Sequence, residues 1–248
     1  MFGNIRSLLP QAFTFTRRSI ICDGLPLWPL LPTSNMKSRN SRALFAIATV
    51  LWLSLAGAGM AYTWGYQNTP GNPGLPPAAW PNASRIQRTS KIPTLVLMIH
   101  PHCPCSRATI GELAVLMVHA QGLVDVHVLF VRPRAFAKDW EQTDLWNSVA
   151  RIPGVKIMTD EDGVEAGLFG SLTSGQAMLY DPNSRLVFSG GITASRGHAG
   201  DNEGRSAILS WLTAGTASSK QTAVFGCPLF RPGHEKPAEE FCNGIHPK

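Results

Sequence analysis

Two cysteines separated by a single proline are the residues of this 248-residue chain best suited to chemistry. Cys103-Pro104-Cys105 follows a continuous apolar run, residues 94–99, which predicts a strand buried on both faces. Apolar residues at helical spacing begin at Ile110, and Gly122 is a typical helix end. The turn is therefore expected to join the carboxyl end of a strand to the amino end of a helix, where open α/β sheets place their sites.

Cysteines at such a turn are expected to be reactive. The unpaired amides and the dipole of a helix N-terminus stabilise negative charge, so a cysteine there should have a lowered pKa and more thiolate. Thiolate attacks disulfides and binds metals. Pro104 suits a first helical position because its missing N–H would be unpaired there. The alternative is two inert cysteines in a core helix, which a proline at a strand-to-helix turn disfavours.

The charge is concentrated near the N-terminus. The formal net charge is +6, but residues 1–42 carry six basic residues and one acid, and residues 43–248 carry sixteen basic and fifteen acidic residues. The folded part is therefore nearly neutral and has no basic stripe of the kind that phosphate binding needs. We expect no nucleic-acid partner.

Residues 43–66 are predicted to form a transmembrane helix. The run 43–62 has no charged residue and is about the length needed to cross the hydrocarbon core. Basic residues precede it and its other flank is uncharged, which predicts a cytoplasmic N-terminus and a C-terminal domain outside the membrane. A cleaved signal peptide is the alternative, because small residues lie near the exit. With an anchor or with a cleaved signal peptide, we expect the domain to be exported to the periplasmic side of a bacterial inner membrane.

The chain divides by composition into five segments. Residues 1–42 are predicted to be a cytoplasmic or disordered segment, and the true start of the protein could be Met36. After the transmembrane helix, residues 67–90 are rich in Pro, Gly and Asn and predict an extended tether. Residues 91–216 predict a small α/β domain with a mixed sheet, and residues 217–248 form an extension that carries Cys227 and Cys242. The predicted elements of the domain are strands 94–99, 124–131, 155–158, 176–180 and 186–189 and helices from about 110, at 144–150 and at 205–214.

The domain resembles the thioredoxin-like superfamily. TLVLMIHPHCPC is similar to its strand and cysteine turn, and QAMLYDPNSRLVFSGG to its later hairpin. More narrowly, HPHCPCSRAT, FSGGITASRGHAGDN and FGCPL resemble the RedB-like branch of membrane-tethered thiol–disulfide proteins. The resemblance implies a thioredoxin-like fold with a central mixed sheet flanked by helices, with Cys103 as the exposed attacking cysteine and Cys105 as its partner.

Two departures from that family's pattern bear on activity. The common motif separates its cysteines by two residues, whereas here only Pro104 intervenes. A disulfide between residues i and i+2 is strained and easily reduced, which favours oxidising or isomerising other proteins. The family also has a cis-proline before its later hairpin. Gly175 occupies that position here, which puts conventional substrate docking in doubt.

The glycine-rich segment 190–204 lacks the Gly-Lys-Ser/Thr ending of a phosphate-binding loop. In the family's fold it would pass beside the cysteine turn. Arg196 could then stabilise a thiolate, and His198 could move a proton or bind a metal. Equally, the segment could be a surface loop in which Asp201 or Asn202 caps the last helix.

Cys227 lies beyond the last predicted helix. It could fold back to the turn as a third redox cysteine or a metal ligand. It could instead pair with Cys242, since the exported part has four cysteines and disulfides persist in oxidising compartments.

The expected function is thiol–disulfide exchange with protein thiols and disulfides of the cell envelope, catalysed without a bound organic cofactor. His102 is placed to tune the thiolate. The alternative is a copper or zinc protein that uses His102, Cys103, Cys105 and His198, because thiolate and imidazole suit both metals. A third possibility is an interaction module that keeps the fold without the activity.

Overall fold

The computed structural model describes residues 38–230, which divide between Leu53 and Ser54 into two compact units. The predictions made for residues 1–35, for the start at Met36 and for Cys242 lie outside the described residues.

Helix α1 (Ser38–Asn68) carries the apolar run. Among residues 38–230 it is the one helix long and apolar enough to cross a membrane, over Asn40–Asn68. Its large apolar side chains are exposed, among them Phe45 and Trp52. Such a surface fits a bilayer better than water, because hydrocarbon surroundings favour apolar side chains.

A five-stranded mixed sheet forms the centre of the second unit, in the order β3-β2-β1-β4-β5. Strand β1 pairs in parallel with β2, and β2 with β3, whereas β4 runs antiparallel to both β1 and β5. This confirms the predicted mixed sheet. The strands are β1 (Thr94–Ile99), β2 (Asp125–Arg132), β3 (Val155–Glu161), β4 (Gln176–Tyr180) and β5 (Leu186–Gly191).

Both faces of the sheet are covered, so the side chains of β1 are buried throughout. Alternate residues of a strand point to opposite faces. Leu95, Leu97 and Ile99 accordingly join one apolar cluster, with residues of α2 and α5, and Val96 and Met98 join a second one. The helices of the domain are α2 (Ser106–Ala120), α3 (Asp144–Ala150), α4 (Val164–Leu168) and α5 (Glu203–Ala214).

The segment predicted to be a tether packs against the domain. It forms no helix or regular strand between residues 69 and 93, as its prolines predict. However, Trp80 donates its backbone N–H to the Ser184 carbonyl over 2.8 Å, and its ring packs edge-on against Phe169 and Tyr180. Ile86 is also buried in the second apolar cluster. These contacts explain the difference: the apolar side chains interspersed among the prolines cover one face of the sheet.

The first part of the C-terminal extension belongs to the domain as well. Residues 220–223 run beside β5, where Ser189 and Gly191 donate to the carbonyls of Lys220 and Ala223. The chain then crosses the cysteine turn, with Val224 and Leu229 fully buried. The extension is therefore a structural part of the site up to residue 230.

Candidate functional site

The cysteine turn lies where the sequence predicts it, between the end of β1 and the start of α2. Cys103 donates its N–H to the His100 carbonyl over 3.1 Å, and Ser106 donates to the Cys103 carbonyl over 3.1 Å. Cys105 is the N-cap residue of α2. Pro104 is exposed and precedes the helix, so it does not hold the first helical position that the sequence suggests.

The structure contradicts one implied property, the exposure of Cys103. Cys103, expected to be the exposed attacking cysteine, has only 1% of its surface exposed, and Cys105 has 8%. The reason is the C-terminal extension, which lies over the turn. Cys227 in that extension is partly exposed and is the most accessible of the three cysteines in the described part of the chain.

Three thiols meet at this point. Side-chain hydrogen bonds link the Cys103 sulfur to the thiols of Cys105 and Cys227, and the backbone N–H of Cys227 donates to the same sulfur over 3.3 Å. The Ser106 hydroxyl is a further donor. These hydrogen bonds, chiefly those from the two thiols, hold the pKa of Cys103 far below its ordinary value, although burial opposes them. Cys103 is therefore the thiolate of the group.

The other two thiols stay protonated. Hydrogen bonding to the Cys103 thiolate raises the pKa of Cys105, and the same bond together with one to Cys105 raises the pKa of Cys227. The positive charge of Arg196 opposes the shift at Cys105. One thiolate thus faces two proton-bearing thiols, an arrangement suited to passing a disulfide between them.

Arg196 lies close enough to the cysteines for its charge to act on Cys105. Its guanidinium donates to the Gly226 carbonyl over 2.6 Å and to the Thr69 carbonyl over 3.0 Å. It also stacks over the Tyr66 ring at 5.1 Å. Arg196 therefore fixes the residue before Cys227 and contributes a positive charge at the site.

Residues 194–201 of the glycine-rich segment form a surface loop. His198 is exposed, and its backbone N–H bonds to the Ser195 carbonyl. Asn202 caps α5, accepting from the Arg205 N–H over 2.8 Å, as one of the two open predictions has it. The buried carboxylate of Glu112 holds the loop end by accepting from the Gly200 N–H and by pairing with Arg205.

Two buried serines are hydrogen-bonded to each other and to the turn. The Ser106 and Ser174 hydroxyls are 2.7 Å apart, and Ser174 also accepts the His100 N–H over 2.8 Å. Both serines are essentially unexposed. Because Ser106 also bonds to Cys103, the loop that contains Ser174 is tied directly to the thiolate.

Two histidines flank the turn on its other side. Burial lowers the pKa of His100 to about 4, so this imidazole is neutral near pH 7. Its Nδ1 accepts the His102 N–H over 3.2 Å. His102 is exposed, packs against the Trp140 ring and has its Nε2 3.2 Å from the Trp140 carbonyl.

Gly175 takes the place that the resemblance gives to a cis-proline. It has a φ of +92°, and its N–H donates to the Met98 carbonyl over 2.7 Å. A side chain there would press against the Thr109 hydroxyl. The position therefore requires glycine in this chain.

The predicted metal ligands do not converge. Within residues 38–230 no group of three or more His, Cys, Asp and Glu side chains is arranged to hold a metal ion. His102, Cys103, Cys105 and His198 thus do not form a ligand set in this structure.

Sequence reasoning missed Ser106, Ser174 and Glu112. Glu112 had a signal: it falls on one helical stripe with Ala108 and Leu116, both buried, and a carboxylate in that position needs a partner. Ser106 directly follows Cys105. No local pattern marks Ser174, because its role depends on a loop 68 residues away from Ser106 in sequence.

No protein-family model matches the sequence, and no curated protein matches it. Among solved structures, a hypothetical protein from Sinorhizobium meliloti is 20% identical with a TM-score of 0.50, covering 68% of this chain and 99% of that chain. An uncharacterized conserved protein from Geobacillus kaustophilus is 17% identical with a TM-score of 0.49, covering 67% and 94%. A secreted Mycobacterium tuberculosis disulfide oxidoreductase homologous to E. coli DsbE is 16% identical with a TM-score of 0.32, covering 38% and 66%. Likeness at these identities concerns the fold alone.

The fold is thioredoxin-like, as the resemblance implies. A central strand leads into a cysteine turn and a helix, a parallel strand follows on one side, and an antiparallel hairpin and a last helix follow on the other.

Proposed function

We propose that this protein is a membrane-anchored thiol–disulfide oxidoreductase of the bacterial cell envelope, as in the RedB-like branch that its motifs resemble. The observation that carries the proposal is the meeting of three cysteines at the strand-to-helix turn, where the Cys227 N–H donates to the buried Cys103 sulfur over 3.3 Å. The lowered pKa of Cys103 agrees with it. A buried structural cysteine does not need this arrangement, because in apolar surroundings its pKa would rise.

The exchange follows from the protonation states. The Cys103 thiolate attacks one sulfur of a partner protein's disulfide, and the electron pair leaves on the partner's other sulfur, which takes a proton. Cys105 then gives up its proton and attacks the Cys103 sulfur. The partner leaves as a dithiol, and a Cys103–Cys105 disulfide remains. Run in reverse, the same steps pass a disulfide to a partner.

A cleft beside the turn borders Cys103, and none of its lining residues belongs to the C-terminal extension. The cleft has a volume of about 250 Å³ and is lined by His102, Cys103, Pro104, Arg107 and Asp144, among others. Since Cys103 itself is almost unexposed, a protein partner also requires movement of the chain around Cys227.

Helix α1 is assigned to the membrane in this proposal, with the N-terminus in the cytoplasm and the domain in the periplasm. Its length, its apolar composition and the basic residues before it support this orientation. Protease added to spheroplasts should therefore digest the domain, and alkaline carbonate should not extract the protein. Protection of the domain from protease would reverse the orientation.

A redox titration tests the activity. The full-length protein in detergent is equilibrated in glutathione buffers, free thiols are trapped by alkylation and each cysteine is mapped by mass spectrometry. We expect reversible oxidation of Cys103 with a potential within roughly −270 to −120 mV, the range of working oxidoreductases. Copper and zinc are measured on the same sample. Failure of Cys103 to oxidise reversibly would overturn the proposal, and stoichiometric copper or zinc would replace it with the metal function.

A matched pair of variants ties the result to the site. Cys103→Ser should abolish exchange with a model protein disulfide. Cys242→Ser, which alters a cysteine elsewhere in the C-terminal extension, should leave it unchanged.

A further inference from the structure

Residues 226–229 cross the cysteine turn as an irregular segment that pairs with residues 172–174. Ser174 donates its N–H to the Cys227 carbonyl over 2.8 Å, and Leu229 donates to the Leu172 carbonyl over 2.9 Å. Thr173 and Pro228 form an antiparallel bridge between these two bonds. Backbone pairing of this kind is how an extended peptide is bound at the edge of a sheet, with affinity from main-chain hydrogen bonds.

Close packing fixes this segment against its neighbour. A Cβ at Gly226 would collide with the Ser174 carbonyl oxygen, so the two backbones approach as only glycine permits. Arg196 holds the Gly226 carbonyl from the other side. The contacts place Cys227 at the one position of the segment where its N–H and its thiol both reach the Cys103 sulfur.

We propose that Cys227 is a third redox cysteine and that the oxidised protein rests with a Cys103–Cys227 disulfide. The segment 226–229 presents its cysteine to Cys103 as a bound partner peptide would. This inference rests on the proposed function and adds to it a resting form and an internal partner for Cys103.

The step is an internal exchange. The Cys227 thiol gives up its proton, and its sulfur attacks the Cys103 sulfur of the Cys103–Cys105 disulfide. The bond between Cys103 and Cys105 breaks, the electron pair leaves on the Cys105 sulfur, and Cys105 takes up a proton. One disulfide is exchanged for another, so no outside oxidant or reductant is consumed.

Two physical effects favour the product. A disulfide across a single intervening residue is strained, whereas Cys103 and Cys227 are 124 positions apart in sequence and already in contact. In addition, the hydrogen bonds to thiolate that keep Cys227 protonated vanish once Cys103 and Cys105 are joined. Cys227 can then ionise and attack.

Disulfide mapping tests the inference. The full-length protein in detergent is oxidised with glutathione disulfide, quenched by alkylation, digested without reduction and analysed for linked peptides. We expect the Cys103–Cys227 link to exceed the Cys103–Cys105 link by about tenfold or more. In Cys227→Ser, only the Cys103–Cys105 link should form. Half-oxidation of that variant should require a ratio of oxidised to reduced glutathione about tenfold higher than for the wild type, since the strained link is the easier one to reduce. Cys242→Ser is the matched control and should match the wild type.

The outcomes separate the two proposals. A wild-type map with only the Cys103–Cys105 link, or with Cys227 linked to Cys242, overturns this inference and leaves the proposed oxidoreductase standing. If Cys103 takes part in no reversible disulfide in any variant, both proposals fail. The disulfide map of the wild type tests this inference even if Cys227→Ser does not fold.

Discussion

The backbone N–H of Gly175 donates to the carbonyl oxygen of Met98 over 2.7 Å, and this bond holds the loop before β4 against the end of β1. Gly175 has a φ of +92°, and a Cβ built on it would lie 3.0 Å from the Thr109 Oγ1. Neither feature is compatible with the proline that thioredoxin-like proteins carry here, because proline has no N–H and fixes φ near −65°.

Gly175→Ala is therefore expected to destabilise the domain by about 1–3 kcal/mol, the usual cost of a non-glycine residue at positive φ. Gly175→Pro should cost more, since it also removes the bond to Met98. The free energy of unfolding, measured in urea, checks both. Gly111→Ala is the matched control: its Cβ would meet nothing within 4 Å, and alanine in a helix is favoured by about 0.5–1 kcal/mol. Equal effects at the two glycines would contradict this account.

Ser106→Ala should make the Cys103 thiolate scarcer. The substitution removes one hydrogen bond to a charged sulfur, worth about 1.5–3 kcal/mol, which corresponds to roughly 10- to 150-fold less thiolate at a pH below the pKa. The measurement is the pH dependence of Cys103 alkylation, with the site of modification read by mass spectrometry. Ser210→Ala, whose hydroxyl bonds to the Thr216 carbonyl at the far end of α5, should leave that profile unchanged.

Much of the fold follows from local patterns. Residues 94–99, 144–150 and 176–180 form elements with the predicted bounds, because each has a continuous apolar run or a clear helix pattern between turn signals. The cysteine turn is at the predicted junction for the same reason. Helix α4 was missed, since five residues after a glycine at positive φ carry too little periodicity to recognise.

The closure of the site could not be predicted in this way. Residues 69–86 and 226–229 contact the domain chiefly through backbone groups and isolated apolar side chains, and partners for these lie roughly 50 to 150 positions away in sequence. Backbone pairing between such distant segments leaves no periodic signal. The burial of Cys103 and the contact with Cys227 both depend on this pairing. For that reason the family resemblance implied an exposed Cys103, and the sequence left the role of Cys227 open.

Glu112→Gln should loosen the glycine-rich loop and lower stability. Glu112 is 2% exposed and accepts from Gly200 and Asn202 while pairing with Arg205. Removing one partner of a buried ion pair costs about 3–5 kcal/mol when the other charge is left uncompensated, and Arg205 would keep only the exposed Asp201 as a partner. Urea unfolding measures the loss. Glu203→Gln, an exposed acid in the first turn of α5, is the control and should change stability by less than about 1 kcal/mol. A similarly small change for Glu112→Gln would show that the loop is held by other contacts.

His100 should make the domain sensitive to acid. Burial lowers its pKa from 6.5 to about 4, so the folded state favours the neutral imidazole. This contribution is fully present above pH 6.5 and is lost as the pH falls through 4, up to about 3 kcal/mol in all. His100→Asn keeps an acceptor for the His102 N–H but does not titrate. The free energy of unfolding of the wild type, relative to that of the variant, should therefore decline between pH 6.5 and 4. A constant difference over that range would contradict the assignment.

Arg196→Gln should release the segment that carries Cys227. The guanidinium bond to the Gly226 carbonyl is lost, and with it the positive charge that opposes the raised pKa of Cys105. A hydrogen bond from a charged group contributes about 1.5–3 kcal/mol, so local opening of the segment should become roughly tenfold or more frequent. The alkylation rate of Cys227 should increase accordingly, while that of Cys105 should fall.

Arg196→Lys keeps the charge and loses the guanidinium geometry, so it should increase the alkylation rate of Cys227 without lowering that of Cys105. Arg185→Gln, an exposed arginine paired with Asp181, is the matched control. If Arg185→Gln changes both alkylation rates as much as Arg196→Gln does, the change in rate comes from the overall charge of the protein and not from the hydrogen bond between Arg196 and the Gly226 carbonyl.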